Sequence, residues 1–295
     1  MADAKTRLST GIGQLDEMLG GGLLPGTLTV LVGSTGIGKT QLGLQFAQAG
    51  ATQEGSPGIL FDMSSRGDSQ HHVEYATRMF DRELDVVVPR DRVDLDGFFD
   101  ANRSMGDYLH IFDQTGRRVS RRDLDFDQWQ DWQAELTKRL NASIAFFYGN
   151  FVRGVRRAIV DGLEPVDRPS DSIQIELFEY VYHQILRKDP EWVARDLFRE
   201  HYRANADTIA QHTYDPQDVG CMLLLTSHET TLDGLLERPL DEGDVLSNAN
   251  TVIYMGKIRE GTKFRRALYV AKHRGSMCPD EILPYRIEED GIVLE

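Results

Sequence analysis

Short apolar runs alternate with longer amphipathic segments from Leu28 to Tyr180. This alternation is typical of a mostly parallel central sheet whose strands are joined by flanking crossover helices, so it predicts an α/β fold. The run Met222–Leu225 is apolar at every position, as expected for a central strand buried on both faces. The predicted strands are Leu28–Val32, Ile59–Met63, Tyr108–Phe112, Ala158–Asp161, Met222–Thr226, Thr251–Met255 and Ala267–Ala271.

The end of the chain has a different pattern. Two short apolar stretches, 285–287 and 292–294, flank the turn-forming run Glu288–Gly291. Runs of this length on either side of a turn predict a C-terminal β-hairpin.

The middle of the chain predicts helices inserted in the α/β core. Apolar residues recur every three or four positions along 129–147, which predicts a long helix with one apolar face. The run Asp189–Glu191 offers an N-cap, a first-turn proline and a first-turn acid, and predicts a helix over 192–209. These helical segments, about 113–150 and 189–217, hold all three tryptophans. The tryptophans either pack on the core or form a face that docks a partner.

Length and composition narrow the class of protein. The 295 residues fit one large α/β domain or two small ones, and we interpret 1–295 as a single domain. With 33 basic and 47 acidic side chains the net charge is −14, which disfavours general binding to nucleic acids or anionic membranes. No apolar run approaches the ~20 residues of a spanning helix, and Met1–Ser9 lacks a signal peptide's apolar segment. We therefore expect a cytoplasmic protein without membrane contact, and reduced thiols at Cys221 and Cys278.

One motif carries specific chemistry. The segment Gly33–Thr40 matches G-x-x-x-x-G-K-[ST], follows a predicted strand and opens the predicted helix Gln41–Ala49. Glycines let successive backbone N–H groups approach phosphate oxygens, reinforced by the positive end of the helix. Lys39 is predicted to reach the β and γ phosphates, and the Thr40 hydroxyl to bind Mg²⁺. The predicted nucleotide-binding residues are Gly33, Ser34, Thr35, Gly36, Ile37, Gly38, Lys39, Thr40 and Gln41.

A magnesium ion beside a nucleotide also needs a carboxylate from a neighbouring strand end. The apolar strand 158–160 ends in Asp161, which we predict as the second metal-site residue beside Thr40. The alternative is that Asp161 only caps a strand-to-helix loop.

Two further blocks of sequence indicate a family. Upstream of the loop stand Ser9–Gly11, Leu15-Asp16, Leu19–Leu23 with three consecutive glycines, and Gly26. Near the end stand Glu260-Gly261, Arg265-Arg266, Leu268 and Lys272–Gly275, a K-x-R-G motif. This spacing resembles the RecA superfamily, and most closely its KaiC branch, over roughly 7–80, 150–185 and 220–295. The resemblance implies a RecA-like core, ATP as the bound nucleotide and assembly into a ring of identical subunits, usually hexameric.

The same resemblance implies a role for the K-x-R-G motif. Its lysine and arginine, here Lys272 and Arg274, project toward the γ-phosphate bound by the adjacent subunit. A cation delivered across an interface stabilises transition-state charge and couples assembly to nucleotide state. The alternative is that both side chains merely face solvent on an edge strand.

One position departs from the family pattern. Related proteins place a water-polarising glutamate at the end of the strand that follows the phosphate-loop helix, where this chain has Ser64 and Ser65. Serine is a poor base at neutral pH, so the substitution implies slow or absent hydrolysis. Asp62, after a two-residue slip of the alignment, or Asp68 or Glu229 are the alternative acids.

Other candidates are weaker. His228 follows a strand whose end senses the γ-phosphate in RecA-like folds, although a local turn bond would explain it equally well. The segment Asp233–Asp244 occupies the DNA-contacting position of recombinases but is acidic, which disfavours strand exchange. The basic run Arg117–Arg122 is either a solvated loop or a contact for an acidic partner, with Ser120 open to phosphorylation. The remaining histidines, including His71 and His72, show no metal-ligand spacing.

These observations favour an ATP-binding ring protein with slow hydrolysis, acting as a nucleotide-gated signalling or scaffold module for an unknown protein partner. The alternatives are an active ATPase or autokinase that phosphorylates its own serine or threonine, and a recombinase-like repair protein. The net acidity is uneven, because Lys257–Arg274 carries seven basic and one acidic side chain. This local charge of +6 lies on the strand pair that is expected to face a neighbour's triphosphate.

Overall fold

The computed structural model describes residues 6–64, 71–87, 95–112, 125–164, 172–237, 245–276, 278 and 280–295. Several predicted features lie outside the described residues, among them Ser65, Asp68, the basic run Arg117–Arg122 and most of the acidic stretch that follows Glu237.

The described ranges contain one large, mostly parallel sheet. Its strands are β1 Leu28–Gly33, β2 Ile59–Asp62, β3 Val86–Val87, β4 Tyr108–His110, β5 Arg157–Leu163, β6 Gly220–Thr226, β7 Thr251–Glu260, β8 Lys263–His273, β9 Ile282–Glu288 and β10 Gly291–Leu294. The strand order is β10-β9-β8-β7-β1-β6-β5-β2-β4-β3. From β7 to β3 neighbouring strands are parallel, and β8, β9 and β10 pair antiparallel. The predicted mostly parallel α/β fold and the C-terminal hairpin are confirmed.

The helices cover both faces of the sheet. They are α1 Gly13–Met18, α2 Lys39–Gln53, α3 His72–Phe80, α4 Phe126–Phe151, α5 Ile173–Val181, α6 Pro190–Phe198, α7 Ala206–Gln211, α8 Leu232–Leu236 and α9 Val245–Asn248. Strand β1 is buried along its whole length and points alternate residues into two hydrophobic clusters. Val30 faces the cluster that includes Phe147 of α4, and Leu31 faces the one that includes Phe46 of α2. This double burial explains why β1 is apolar at successive positions.

The inserted helices match the prediction only in part. Helix α4 is long, and Phe146 and Phe147 near its end are buried in the core. The predicted helix over 192–209 is wrong as a single element: α6 ends at Phe198, and Arg199 has a positive φ of 47°, which an α-helix does not accommodate. Two short 3₁₀ turns and α7 continue the chain.

The predicted start of α6 holds, because the Asp189 carboxylate accepts a hydrogen bond from Glu191 N at 2.9 Å. Trp192 in its first turn is 55% exposed, with the Arg195 guanidinium 4.8 Å from the centre of its ring. Core packing therefore does not apply to Trp192. The side chains of Trp129 and Trp132 lie outside the described part of the chain.

The N-terminal segment Ser9–Gly11 forms a local turn. The Asp16 carboxylate of α1 accepts hydrogen bonds from Thr10 N at 2.6 Å, Thr10 Oγ1 at 2.7 Å and Ser9 Oγ at 2.5 Å. One carboxylate thus fixes the entry of the chain to α1.

The thiols of Cys221 and Cys278 are both free, and Cys221 is buried. None of the helices in the described ranges combines the length and the apolar character that crossing a membrane requires.

Arg157, at the start of β5, ties three segments together from a fully buried position. Its guanidinium donates to both oxygens of Glu54 at 2.7 and 2.8 Å, and to the backbone oxygens of Ser9 at 2.6 Å and Phe46 at 2.7 Å. The N-terminal segment, α2 and β5 therefore share one cation. This arrangement holds the phosphate-loop helix against the sheet.

We expect Arg157→Ala to lower the free energy of unfolding by about 3 kcal/mol, because it leaves a largely buried carboxylate and two carbonyls without their donor. The matched control is Arg195→Ala, which removes an arginine from the exposed pair with Glu191 and is expected to change little. Urea denaturation of the variants measures both. Equal effects of the two substitutions would contradict the assignment of Arg157 as a structural centre.

Candidate nucleotide-binding site

The phosphate loop connects the end of β1 to the start of α2. Gly38 is the N-cap of α2 and has a φ of 114°, a left-handed conformation that glycine adopts without strain. No side chain caps this helix start. At Gly33, an added Cβ would lie 2.4 Å from the backbone oxygen of Met255, so only glycine fits beside β7. The first turn of α2 therefore presents backbone N–H donors and the positive end of the helix dipole, an arrangement suited to an anion.

The side chain of Lys39 turns back toward the backbone of this loop. Its side chain is buried, and its Nζ donates to the backbone oxygens of Gly33 at 2.9 Å and Ser34 at 3.0 Å. Burial lowers the pKa of Lys39 to about 8, and the negative charge of Asp161 opposes that decrease. The ammonium group is thus held at the loop by two carbonyl oxygens that a ligand could replace.

Thr40 and Asp161 lie together, as the sequence predicts for the metal site. Thr40 Oγ1 donates to Asp161 Oδ2 at 2.9 Å, and Asp161 Oδ1 accepts from Gly162 N at 2.7 Å. Asp161 lies within β5, two strands from β1. A hydroxyl and a carboxylate oxygen are ligands that Mg²⁺ prefers, so the two residues fit such an ion.

A buried histidine, which the sequence analysis did not place in the site, joins this pair. Asp62 ends β2 and lies in register with Asp161 of β5, so two carboxylates come side by side. His72, the first residue of α3, has its Nε2 2.9 Å from Asp161 Oδ2 and its Nδ1 3.5 Å from Asp62 Oδ2. All three side chains are at most 2% exposed. His72 therefore bridges two strand ends that would otherwise carry adjacent buried negative charges.

The pKa directions follow from this geometry. Burial opposes a charged His72, but the hydrogen bond and charge of Asp161 and the charge of Asp62 raise its pKa above the ordinary value. Burial also opposes ionised Asp161, yet the bond and charge of His72, the charge of Lys39 and the Gly162 N–H lower its pKa. Both groups are thus stabilised in their charged forms by each other.

The end of β2, where the family resemblance implies a glutamate, is closed in this chain. Ser64 is buried, and its N–H donates to Asp62 Oδ1 at 2.7 Å. Asp62 Oδ2 accepts from the Tyr108 hydroxyl at 2.9 Å, and His110 Nε2 lies 2.9 Å from the Ser64 carbonyl oxygen. Asp62 is therefore enclosed by protein groups. Glu229, the other alternative acid that the structure describes, is exposed beyond the end of β6.

His228 lies near the loop in the fold but is not engaged with it. The strand β6 pairs with β1, and Ser227 N donates to the Gly33 oxygen at 3.0 Å. The next side chain, His228, is exposed and has no hydrogen bond to any other described residue. Its sensor role stays a prediction.

Lys272 and Arg274 lie near the ends of the strands opposite to the ends that carry their own phosphate loop. Lys272 pairs with Val252 of β7, whereas the loop begins at Gly33, which pairs with Met255. Three residues along a strand separate the two levels by roughly 10 Å. Lys272 Nζ donates to the Ser247 oxygen at 2.9 Å. The structure therefore does not bring these cations to Lys39 within one chain.

Partial burial and the positive charge of Arg274 lower the pKa of Lys272. Arg274 itself is exposed.

The K-x-R-G end is anchored on the glycine-rich segment. Arg7 donates to the backbone oxygens of Leu19 and Gly22 at 3.0 Å each and to that of Gly275 at 3.1 Å. His273 Nε2 lies 3.1 Å from the same Leu19 oxygen. The two sequence blocks that carry the family resemblance are thus in contact, a role for Arg7 and His273 that spacing alone does not reveal.

A cleft lies beside the start of α2. It has a volume of about 710 Å³ and is lined by Gln41, Tyr75, Arg78, Ile287 and the turn of the C-terminal hairpin. The Arg78 guanidinium lies 5.2 Å from the centre of the Tyr75 ring. An aromatic ring and an arginine plane next to a phosphate site suit a nucleobase.

Comparison with known proteins shows which family the chain resembles. Residues 8–103 match the family model for the KaiC ATPase. The chain is 47% identical over 51 residues to the circadian clock protein KaiC2 of Synechocystis, covering 17% of this chain and 9% of that protein. It is 42% identical over 73 residues to the DNA repair protein RadA of Synechocystis, covering 25% and 14%. These alignments therefore span only a small part of the curated relatives.

A solved structure extends the comparison to the whole fold. A KaiC-like protein from the hyperthermophilic archaeon Pyrococcus horikoshii matches with a TM-score of 0.50, covers 98% of both chains and is 19% identical. At this identity the likeness concerns the fold alone. The family model over residues 8–103, the two partial alignments and the shared fold together support a KaiC-like ATPase of the RecA superfamily.

Proposed function

We propose that this chain binds ATP with Mg²⁺ at Gly33–Thr40 and assembles into a homo-oligomeric ring, hexameric in the simplest case, with the nucleotide at each subunit interface. The ring acts as a nucleotide-gated signalling or scaffold module that hydrolyses ATP slowly. The observation that carries this proposal is the uncapped start of α2 with Lys39, Thr40 and Asp161 gathered around it. The single domain over 1–295 and the cytoplasmic location stay predictions from the sequence.

The loop supplies phosphate binding through groups already in place. The triphosphate would lie against the N–H groups at the start of α2, and Lys39 would exchange its two backbone carbonyl partners for β and γ oxygens. The base would enter the cleft between Tyr75 and Ile287. This exchange replaces neutral acceptors by charged ones and so favours the bound state.

Thr40 and Asp161 would hold the magnesium ion together with phosphate oxygens. When bound, the ion neutralises charge on the phosphates and lowers the barrier to their transfer. Asp161 is kept ionised by His72 and Lys39, so it is ready to accept a cation without first losing a proton.

The K-x-R-G cations support a site shared between subunits. Lys272 and Arg274 lie too far along the sheet to serve their own loop, and the exposed Arg274 is available to a neighbour. A head-to-tail contact of this kind is heterologous, and it forms a ring when the rotation between successive copies closes. Each triphosphate would then be completed by the next copy of the chain.

Slow hydrolysis is favoured by the enclosed strand end at Asp62 and Ser64, where no carboxylate of the described residues is open to an attacking water. An active ATPase or autokinase remains the alternative. A recombinase role gains little from the RadA relatives, because their alignments cover a small part of each protein and the chain is acidic.

We expect Lys39→Ala to weaken ATP binding by about 10- to 100-fold, since it removes a charge-assisted contact to the phosphates. Lys188→Ala is the control, because Lys188 pairs with Asp196 on α6, away from the loop. Isothermal titration with ATP and Mg²⁺ measures both affinities. Wild-type affinity in Lys39→Ala would remove the basis of the site assignment.

A mixing experiment tests the shared site. Lys39→Ala and Arg274→Ala should each lose ATP turnover when assayed alone. In an equimolar mixture, about a quarter of randomly formed interfaces would combine an intact loop with an intact arginine and recover turnover. Phosphate release measured over hours detects this recovery.

No recovery in mixtures that are shown to exchange subunits would contradict action across the interface. An Arg274→Ala protein with normal turnover would contradict its role outright, and a wild-type protein with no turnover would contradict slow hydrolysis.

A further inference from the structure

The C-terminal hairpin, β9 with β10, packs directly on the phosphate loop. Tyr285 of β9 is 3% exposed, and its hydroxyl donates to the backbone oxygen of Ile37 at 2.6 Å. Ile37 lies inside the loop, two residues before Lys39. A side chain near the end of the sequence thus binds the backbone of the motif near its beginning.

Apolar contacts accompany this bond. A Cβ added at Gly38 would lie 3.1 Å from Ile287 Cδ1 and 3.2 Å from Ile292 Cδ1, so both isoleucines pack against the Gly38 backbone. Ile287 is on β9 and Ile292 is on β10. The hairpin therefore contacts the loop at the peptide that joins Ile37 to Gly38.

Gln45 of α2 fixes the hairpin in this position. Its side-chain Nε2 donates to the Ile292 oxygen at 3.2 Å, and its Oε1 accepts from Ile292 N at 2.8 Å. One amide thus satisfies both backbone groups of a residue in β10, the edge strand. The hairpin is attached to the same helix whose first turn is the anion site.

The direction of the Ile37 carbonyl decides what its peptide offers to a ligand. In a trans peptide the C=O of Ile37 and the N–H of Gly38 point in opposite directions. A carbonyl held toward Tyr285 leaves the Gly38 N–H pointing away from the Tyr285 hydroxyl, and an N–H at a helix N-terminus can donate to a phosphate. If the same peptide turned over, an oxygen would face the phosphates and repel them.

We propose that Tyr285 is a positioning residue for phosphate binding, which holds the Ile37–Gly38 peptide with its N–H toward the ligand. This inference rests on the proposed function, because it concerns how the same loop binds a nucleotide. Burial also raises the pKa of the Tyr285 phenol, so the hydroxyl stays protonated and able to donate at neutral pH.

The test compares two buried tyrosines, of which only one has its hydroxyl bonded to the phosphate loop. Tyr285→Phe removes a hydroxyl that is bonded to the loop, whereas Tyr214→Phe removes a buried hydroxyl that has no hydrogen-bond partner among the described residues. Both variants keep their rings in the core. We expect Tyr285→Phe to weaken ATP and ADP binding by about 3- to 10-fold and Tyr214→Phe to leave both unchanged.

Adenosine separates positioning from general damage to the site. Adenosine has no phosphates, so we expect wild type and Tyr285→Phe to bind it with the same affinity. If Tyr285 had only a structural role, the substitution would weaken the binding of adenosine and of ATP together. Amide hydrogen exchange is the second readout. Exchange in β9 and β10 should slow when ATP binds to the wild type, and less so in Tyr285→Phe.

The outcomes are distinct from those for the function itself. If the wild type binds no ATP, the proposed function fails. Two results would overturn only the role of Tyr285, provided that the wild type binds ATP. In the first, Tyr285→Phe binds ATP as well as the wild type does; in the second, its affinities for adenosine and for ATP fall by the same factor.

Discussion

The open first turn of α2 is the feature around which the candidate nucleotide site is arranged. A helix that begins at a left-handed glycine without a capping side chain leaves several backbone N–H donors pointing in one direction. The surrounding groups hold that arrangement: Lys39 bonds two loop carbonyls, Thr40 bonds Asp161, and Tyr285 bonds Ile37. The strand before the loop is central and buried on both faces, so the loop begins from a fixed point.

A second constraint is charge balance at the carboxyl ends of the parallel strands. The register of β2 with β5 places Asp62 beside Asp161, and both are buried. Two ionised carboxylates in such surroundings need a nearby cation, which His72 supplies from the start of α3. The positive charge of His72 thus balances the buried carboxylates. His72 also connects α3 to Asp161, the residue that we propose holds magnesium.

Local sequence patterns predicted much of this architecture, because burial on both faces, turn formation and the phosphate-loop motif each depend on residues that lie close together in the sequence. The strands, the hairpin and the contact of Thr40 with Asp161 are examples. Contacts between distant segments leave no local pattern: spacing to other histidines does not reveal that His72 lies between Asp62 and Asp161, and a place in a strand does not reveal that Tyr285 binds Ile37. The break at Arg199 depends on one backbone angle that helical periodicity does not encode.

We propose that one copy of the chain completes the nucleotide site of the next, and sedimentation velocity of the wild-type protein tests this assembly. At micromolar concentration with ATP and Mg²⁺, the account predicts a closed oligomer much larger than the 33.4 kDa chain, and a smaller species in Lys39→Ala under the same conditions. A wild-type protein that sediments as a monomer with and without nucleotide would contradict it.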